Sequence, residues 1–390
     1  LQRLVAGELL AERPARQQPF ARQVQRALRD ADPAHRVGQA PAREAHRGVE
    51  IFRCAGTTLD KNVIPFRLLN MLTLGVTVFL KAFFNFRRGD SILVVTTPPS
   101  LPFITAFAAL SKGATYTLLI HDNYPEILIA AGKTKPDSIL VRTLNFFNRW
   151  LYKYARKIIV VGRDMLELIA EKTSGLDIPL QVIPNWAELE QVEPRPRTEN
   201  KLLQELGIED KFVFLYAGNM GYPNDLESFV WCAERLKNDG RFQFLFLGNG
   251  VKRKRLEADI AKNKLGNVTV LAPQPRSEQN NFLNACDVAV VSLVKRMWGV
   301  SMPSRTYNIL AVGKPILALT ETGSEVEQVI NDDRVGWTVP PNEPEKLLAA
   351  ILKIYDEKDK LSAMGQRARQ AALEKYSLAT ALEKYREALR

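Results

Sequence analysis

From residue 91 to residue 319 the chain repeats one unit: a short apolar run, a break, and a longer stretch with helical character. Apolar runs at 91–97, 116–120, 157–161 and 180–183 alternate with helical stretches at 101–110, 138–154 and 163–172. Alternation of this kind predicts a parallel sheet with helices laid on it. Residues 188–210 interrupt it, being rich in Glu, Pro, Arg and Lys, and read as a linker followed by a surface helix. The unit then resumes, with runs at 212–216, 242–247, 268–271 and 288–293 and helices at 226–237, 251–262 and 278–285. The reading is therefore α/β, with a domain boundary near Ala187. Helices at 345–357 and 361–376 follow, and a last one begins at about residue 378.

Within the second half, residues 298–320 (WGVSMPSRTYNILAVGKPILALT) concentrate the chemistry. Gly299 to Pro303 form a loop of small residues, Ser304 is placed to cap a short helix ended by Gly313, and 315–319 form a buried strand. A loop feeding a helix start offers unpaired N–H groups and the positive end of the helix dipole. Arg305 stands in the first turn, where a cation is badly placed for the helix but well placed for a bound anion. A plain capped helix with a surface arginine accounts for the same residues. Two further strand ends carry glycines, in Ala217-Gly218-Asn219-Met220-Gly221 and at Gly248 and Gly250. Such glycines permit close approach of backbone to a ligand, although the spacing is not the full dinucleotide fingerprint. In the first half, the run at 116–120 ends in His121-Asp122-Asn123-Tyr124-Pro125-Glu126. Polar residues at that end of a parallel strand lie where open α/β sheets hold ligands, and Asp122 or Asn123 could equally cap a helix.

The run PSRTYNILAVGKPILA, with SEV at Ser324 to Val326, resembles the nucleotide-sugar site of family 4 glycosyltransferases. It is most like the branch that builds bacterial exopolysaccharide, O-antigen and colanic-acid-type glycans. The resemblance runs from about Gly48 to the C-terminus and is most specific in the second half. It implies the GT-B fold: two Rossmann-like domains facing across a cleft, here residues 1–187 on the acceptor side and 188–375 on the donor side, with 376–390 crossing back. The implied activity is retaining transfer of a sugar from a nucleotide-diphosphate sugar to a glycan or lipid-linked acceptor, with no metal and no cofactor. By the same resemblance Gly299, Val300, Ser301 and Ser304 would donate to the diphosphate, Arg305 would pair with it, and Gly218 and Asn219 would line the opposite wall. His121 and Asp122 would be the catalytic pair of the first domain. Two departures stand out. The loop AGNMGYPND lacks the Arg and Lys common after that strand, and the two glutamates of an E-x7-E spacing fall at Val300 and Asn308. Glu325 is the replacement candidate for the carboxylate on the donor ribose.

A net charge of +11 fits a phosphorylated substrate or an anionic membrane surface, and no nucleic-acid-binding motif accompanies it. Three scattered cysteines and three scattered histidines argue against a disulfide framework or a histidine metal centre and fit a reducing cytosol. Residues 1–53 hold ten arginines and no lysine, and lack the apolar strand and glycine loop that open such a domain. A basic arm explains them, as does a truncated or misread start; the chain opens on Leu1. Residues 64–86 are apolar and aromatic, broken by Arg67 and Lys81. They read as a core helix with a partly exposed apolar and basic face, or as a helix laid into the inner face of the plasma membrane. The rival functions are a nucleotide-sugar 2-epimerase of the same fold and a degenerate chain that binds nucleotide without turnover.

Overall fold

The computed structural model describes residues 11–12, 41–46, 49–60 and 63–389. The first half contains β1 (Ala11–Glu12), β2 (Arg43–His46), β3 (Val49–Phe52), α1 (Ile64–Asn85), β4 (Ser91–Val95), α2 (Leu101–Ser111), β5 (Thr115–Ile120), α3 (Glu126–Ala130), α4 (Ile139–Lys153), β6 (Lys157–Val160), α5 (Arg163–Lys172) and β7 (Leu180–Val182). The second contains α6 (Lys201–Leu206), β8 (Phe212–Ala217), α7 (Glu227–Arg235), β9 (Phe242–Leu247), α8 (Arg253–Asn263), β10 (Val268–Leu271), α9 (Gln279–Asn284), β11 (Val288–Ser292), α10 (Arg305–Ala311) and β12 (Ile316–Leu319). It continues with α11 (Glu325–Asp333), β13 (Gly336–Val339), α12 (Pro344–Asp356), α13 (Leu361–Glu374) and α14 (Leu378–Ala388).

Two sheets carry this order. In the first, β4 to β7 lie side by side in chain order and are parallel, with β1 antiparallel at the edge against Ser91 and Ile92. A monotonic order with right-handed crossovers lays α2, α4 and α5 on one face. The second sheet runs β10-β9-β8-β11-β12-β13, all parallel. Its order reverses between β8 and β11. Loops diverge at such a switch point and leave a crevice beyond the strand ends.

The central strands of the second sheet are apolar on both faces because helices cover both. Every residue of β9 and β11 is buried. One buried cluster contains residues of both sheets, including Ile120, Val160, Val213 and Val291, and Tyr385 and Ala388 of α14 pack with it. The segment joining the domains is tied down by residues of the second half. The Ala187 amide donates to the Tyr376 carbonyl and the Glu188 amide to Asn308 Oδ1, each at 2.8 Å.

Several expectations from sequence change here. Residues 4–12 have the composition of one helical stretch; Ala11 and Glu12 are strand, and 4–10 lie outside the described residues. The basic segment hides a strand at Arg43–His46, paired antiparallel with β3. An ion pair of 2.6 Å between Arg43 and Glu50 helps hold that ladder, so no apolar alternation announces it. Of α1, Val78 and Ala82 are buried, whereas Leu68, Leu72, Val76, Leu80 and Phe84 are exposed. The helix therefore packs on the domain along one edge only.

Candidate active site

A cavity of about 310 Å³ opens at the ends of β8, β9 and β10, closed on one side by α9 and α10. Gly218, Asn219, Gly248, Asn249, Arg305 and Asn308 are among its walls. Two glycines make its floor. Gly248 has φ +143°, and a Cβ there would stand 2.0 Å from the Gly218 carbonyl oxygen. Gly218 has φ +154°, and a Cβ there would stand 2.4 Å from Nη1 of Arg305. The strand ends thus meet backbone to backbone, with the guanidinium laid on top.

Among the described residues, Arg305 is held by neutral groups. Nη1 donates to the Ala217 carbonyl at 3.1 Å and Nη2 to Asn224 Oδ1 at 3.3 Å. Its guanidinium lies 4.6 Å from the centre of the Tyr216 ring. Among the described residues no carboxylate pairs with it. A cation whose charge is left uncompensated in a concave wall is a site for an anion. Asn308, one turn further along α10, presents its side chain to the same cavity while its Oδ1 accepts from the Glu188 amide.

The loop before α10 has a different role from the one its sequence suggests. Its amides are already bonded: those of Met297 and Trp298 donate to Glu321 Oε2, that of Gly299 to Asp164 Oδ2 at 3.0 Å, and that of Val300 to the Met297 carbonyl. The first domain grips it further. The Asn123 amide donates to the Val300 carbonyl at 2.8 Å, Asn123 Nδ2 donates to the Gly299 carbonyl at 2.6 Å, and Asp122 bridges Ser301. Gly299 and Val300 are therefore interdomain contacts whose N–H groups are not open to a diphosphate. Ser301 is hydrogen-bonded to the Asp122 carboxylate. Ser304 does not cap α10, since its backbone is helical and its side chain accepts no amide; it is exposed at the helix start.

Glu325 is also placed elsewhere. It is 3% exposed and accepts from the backbone amide of Arg163 at 2.7 Å and from its Nε at 2.8 Å, across the two domains. A second carboxylate, Asp332, takes Nη1 of the same arginine. The amide that opens α5 and its own side chain draw Glu325 away from the cavity. Sequence reading also missed Arg163, Asp164 and Asn123. Polar residues at the ends of β5 and β6 were the available signal.

On the first-domain wall, the His121 amide donates to Thr96 Oγ1 at 3.1 Å. Burial pushes its imidazole pKa down to about 4, so the ring is neutral at ordinary pH. Its Nε2 is shut from solvent and, among the described residues, has no hydrogen-bond partner. Burial raises the carboxyl of Asp122, against the opposing hydrogen bond from Ser301. Glu126 is neutralised by Lys172 at 2.8 Å, which also donates to the Tyr124 carbonyl. Among the described residues, no three of His, Cys, Asp or Glu converge as metal ligands.

Two parallel-sheet domains meeting across a cleft, with a cavity at the switch point of the second, are the GT-B architecture. Comparison with known proteins agrees. The family model for glycosyl transferases group 1 matches residues 198–371. The chain is 33% identical over 306 residues to a Pseudomonas aeruginosa protein named as the glycosyltransferase WbjE, covering 78% of this chain and 75% of that one. It is 26% identical over 293 residues to Escherichia coli K12 WcaI, named as a colanic acid biosynthesis glycosyl transferase, covering 73% and 71%. A crystal structure of Anabaena HepE in complex with UDP superposes with a TM-score of 0.66 at 16% identity, covering 83% of each chain. The chain belongs to the group 1 glycosyl transferases, and it is a glycosyltransferase enzyme.

Proposed function

We propose that the enzyme transfers a sugar from a nucleotide-diphosphate sugar to a glycan or lipid-linked acceptor, with retention of anomeric configuration, in assembly of a bacterial surface polysaccharide. The observation that carries this reading is Arg305, a cation with neutral partners in the wall of the β8–β10 cavity. The names of two relatives support the setting: WbjE is named as a glycosyltransferase and WcaI for colanic acid biosynthesis. HepE has been crystallised with UDP and with UDP-glucose, which makes uridine the first base to test.

In this scheme the donor's diphosphate accepts from the remaining N–H groups of the guanidinium while the Ala217 carbonyl and Asn224 hold it in place. Arg305 then stabilises charge as it builds on the leaving group, with a fixed rather than a reorganising partner. The C1–O bond to the diphosphate breaks while the bond from C1 to the acceptor oxygen forms on the same face. The leaving phosphate oxygen takes the acceptor proton. His121 stays neutral and contributes a hydrogen bond: a sugar hydroxyl supplies the partner that Nε2 lacks. Asp122, fixed against Ser301, orients the transferred sugar or the acceptor hydroxyl. No metal or cofactor enters. The enzyme works at the cytoplasmic side of the plasma membrane, in peripheral contact with it.

The test is transfer from UDP-sugars to a lipid-linked glycan acceptor, with the anomeric configuration of the product read by NMR. An axial donor bond that gives an axial product, at a rate unchanged by chelator, is expected. An inverted product, or turnover abolished by chelator and restored by a divalent ion, would overturn the mechanism.

A further inference from the structure

The outer flank of the first domain is apolar over three helices, not one. On α1, Leu72 and Phe84 are 64% and 78% exposed; on α4, Ile139 and Phe146 are 84% and 72% exposed. Between them lies α2, with Phe107 at 57%. Ring contacts stitch the three together, Phe79 to Phe107 at 5.8 Å and Phe103 to Phe147 at 6.4 Å, so the face is continuous. A patch of this extent marks an interaction surface.

Its charge says what it meets. Helices α1, α2 and α4 contain no Asp or Glu. Their exposed charges are Lys81, Arg142, Arg149 and Lys153, and Arg87 and Arg88 follow α1 directly. At the edge of the face the Lys112 ammonium lies 3.8 Å from the centre of the Phe83 ring. Apolar residues flanked mainly by cations, with Asp137 the acidic neighbour just before α4, suit the acyl boundary and headgroups of an anionic bilayer, and they disfavour pairing with a second copy of the same basic face. Burial of Val78 and Ala82 holds α1 along the domain, with its exposed side parallel to the face.

We propose that α1, α2 and α4 together form a docking face for anionic membrane lipid. The proposal rests on the reading of a membrane-side acceptor and gives it an orientation. Each of the three helices leads into a strand of the parallel sheet, so their first residues lie at the edge where the strands end, the edge that carries His121. Docking on this flank sets the cleft mouth beside the bilayer.

The experiment is flotation of the full chain with vesicles of phosphatidylcholine alone or mixed with phosphatidylglycerol. The wild type should float with the mixed vesicles only, less so as salt rises. The double variant Leu72→Glu, Phe84→Glu changes two exposed side chains, and its fold is checked by melting temperature. It should lower partitioning by ~10-fold or more. Arg149→Glu with Lys153→Glu should weaken flotation with the mixed vesicles and flatten its salt dependence, and flotation equal to the wild type's at every salt concentration would overturn the anionic-lipid assignment. No flotation of the wild type, or equal flotation of the Leu72/Phe84 variant, would overturn the proposal, as would a wild-type dimer that this variant dissociates. A UDP thermal shift on the same samples separates the two readings. Flotation without a UDP shift removes the donor reading alone, and a UDP shift without flotation removes the docking face alone.

Discussion

The two walls of the cleft are built alike, from polar loops at the ends of parallel strands, yet they dispose of their polar groups differently. On the first-domain wall Asn123, Asp164 and Arg163 are bonded to the facing domain, through Gly299, Val300 and Glu325. On the second-domain wall Arg305 rests on neutral acceptors beside an open cavity. The first arrangement holds a closed shape, and the second leaves electrostatic work for a ligand. Similar loops can therefore serve packing or binding, and the partner of each charge decides which.

The largest effect expected from breaking this contrast is at Arg305. Arg305→Ala should lower transfer by ~10²–10³-fold, the usual loss when one preorganised donor to developing charge is removed, with little change in melting temperature. A variant that keeps its rate would show that another group meets the phosphate. Next comes Glu325→Gln, on the opposite side of the comparison. It leaves the buried end of the Arg163 contact poorly neutralised, and since the guanidinium is 39% exposed the cost is about 2–3 kcal/mol, read from denaturant midpoints. The UDP-induced shift should survive; its loss would return Glu325 to the donor site.

His121 sharpens the comparison through pH. The unfolded chain binds a proton at this residue below about 6.5, whereas the folded site refuses one until about 4. Its stability contribution is thus complete above pH 6.5 and is lost as pH falls toward 4. Between pH 7 and pH 5 that amounts to about 2 kcal/mol, which His121→Gln should remove from the pH dependence. An unchanged slope in the variant would assign the effect to another group. The smallest effect is expected at Lys133, whose ammonium lies 3.7 Å from the centre of the Tyr222 ring, spanning the cleft between the two loops. An exposed contact of this kind contributes about 0.5–1 kcal/mol, so Lys133→Ala should raise the donor KM by ~2–5-fold and leave kcat alone.

Much of the architecture was legible because continuous apolar runs such as 288–293 and 315–319 are buried on both faces and can be little else than parallel strands. The place of Arg305 on the cavity wall follows a sequence signal, a cation in the first turn of a helix, which opposes the dipole unless something negative is near, and that of Gly218 follows its position after a strand. Gly299, Val300 and Glu325 are not among the cavity's lining residues, for one shared reason. Each has the right chemistry locally, but each is bonded by the other domain, through Asp164, Asn123 and Arg163, and a contact between residues more than a hundred positions apart leaves no mark in a local pattern. The strand Arg43–His46 escaped notice because an ion pair and not apolar alternation accompanies its register.

The most direct measurement is a thermal-shift series with UDP, GDP, ADP and dTDP on the wild type and on Arg305→Ala. A ligand bound only by the folded state raises the melting temperature by mass action. The account predicts that UDP raises it for the wild type and that Arg305→Ala abolishes the rise. If no nucleotide shifts the wild type at millimolar concentration, or if Arg305→Ala retains the full shift, the cavity at the ends of β8 to β10 is not the donor site.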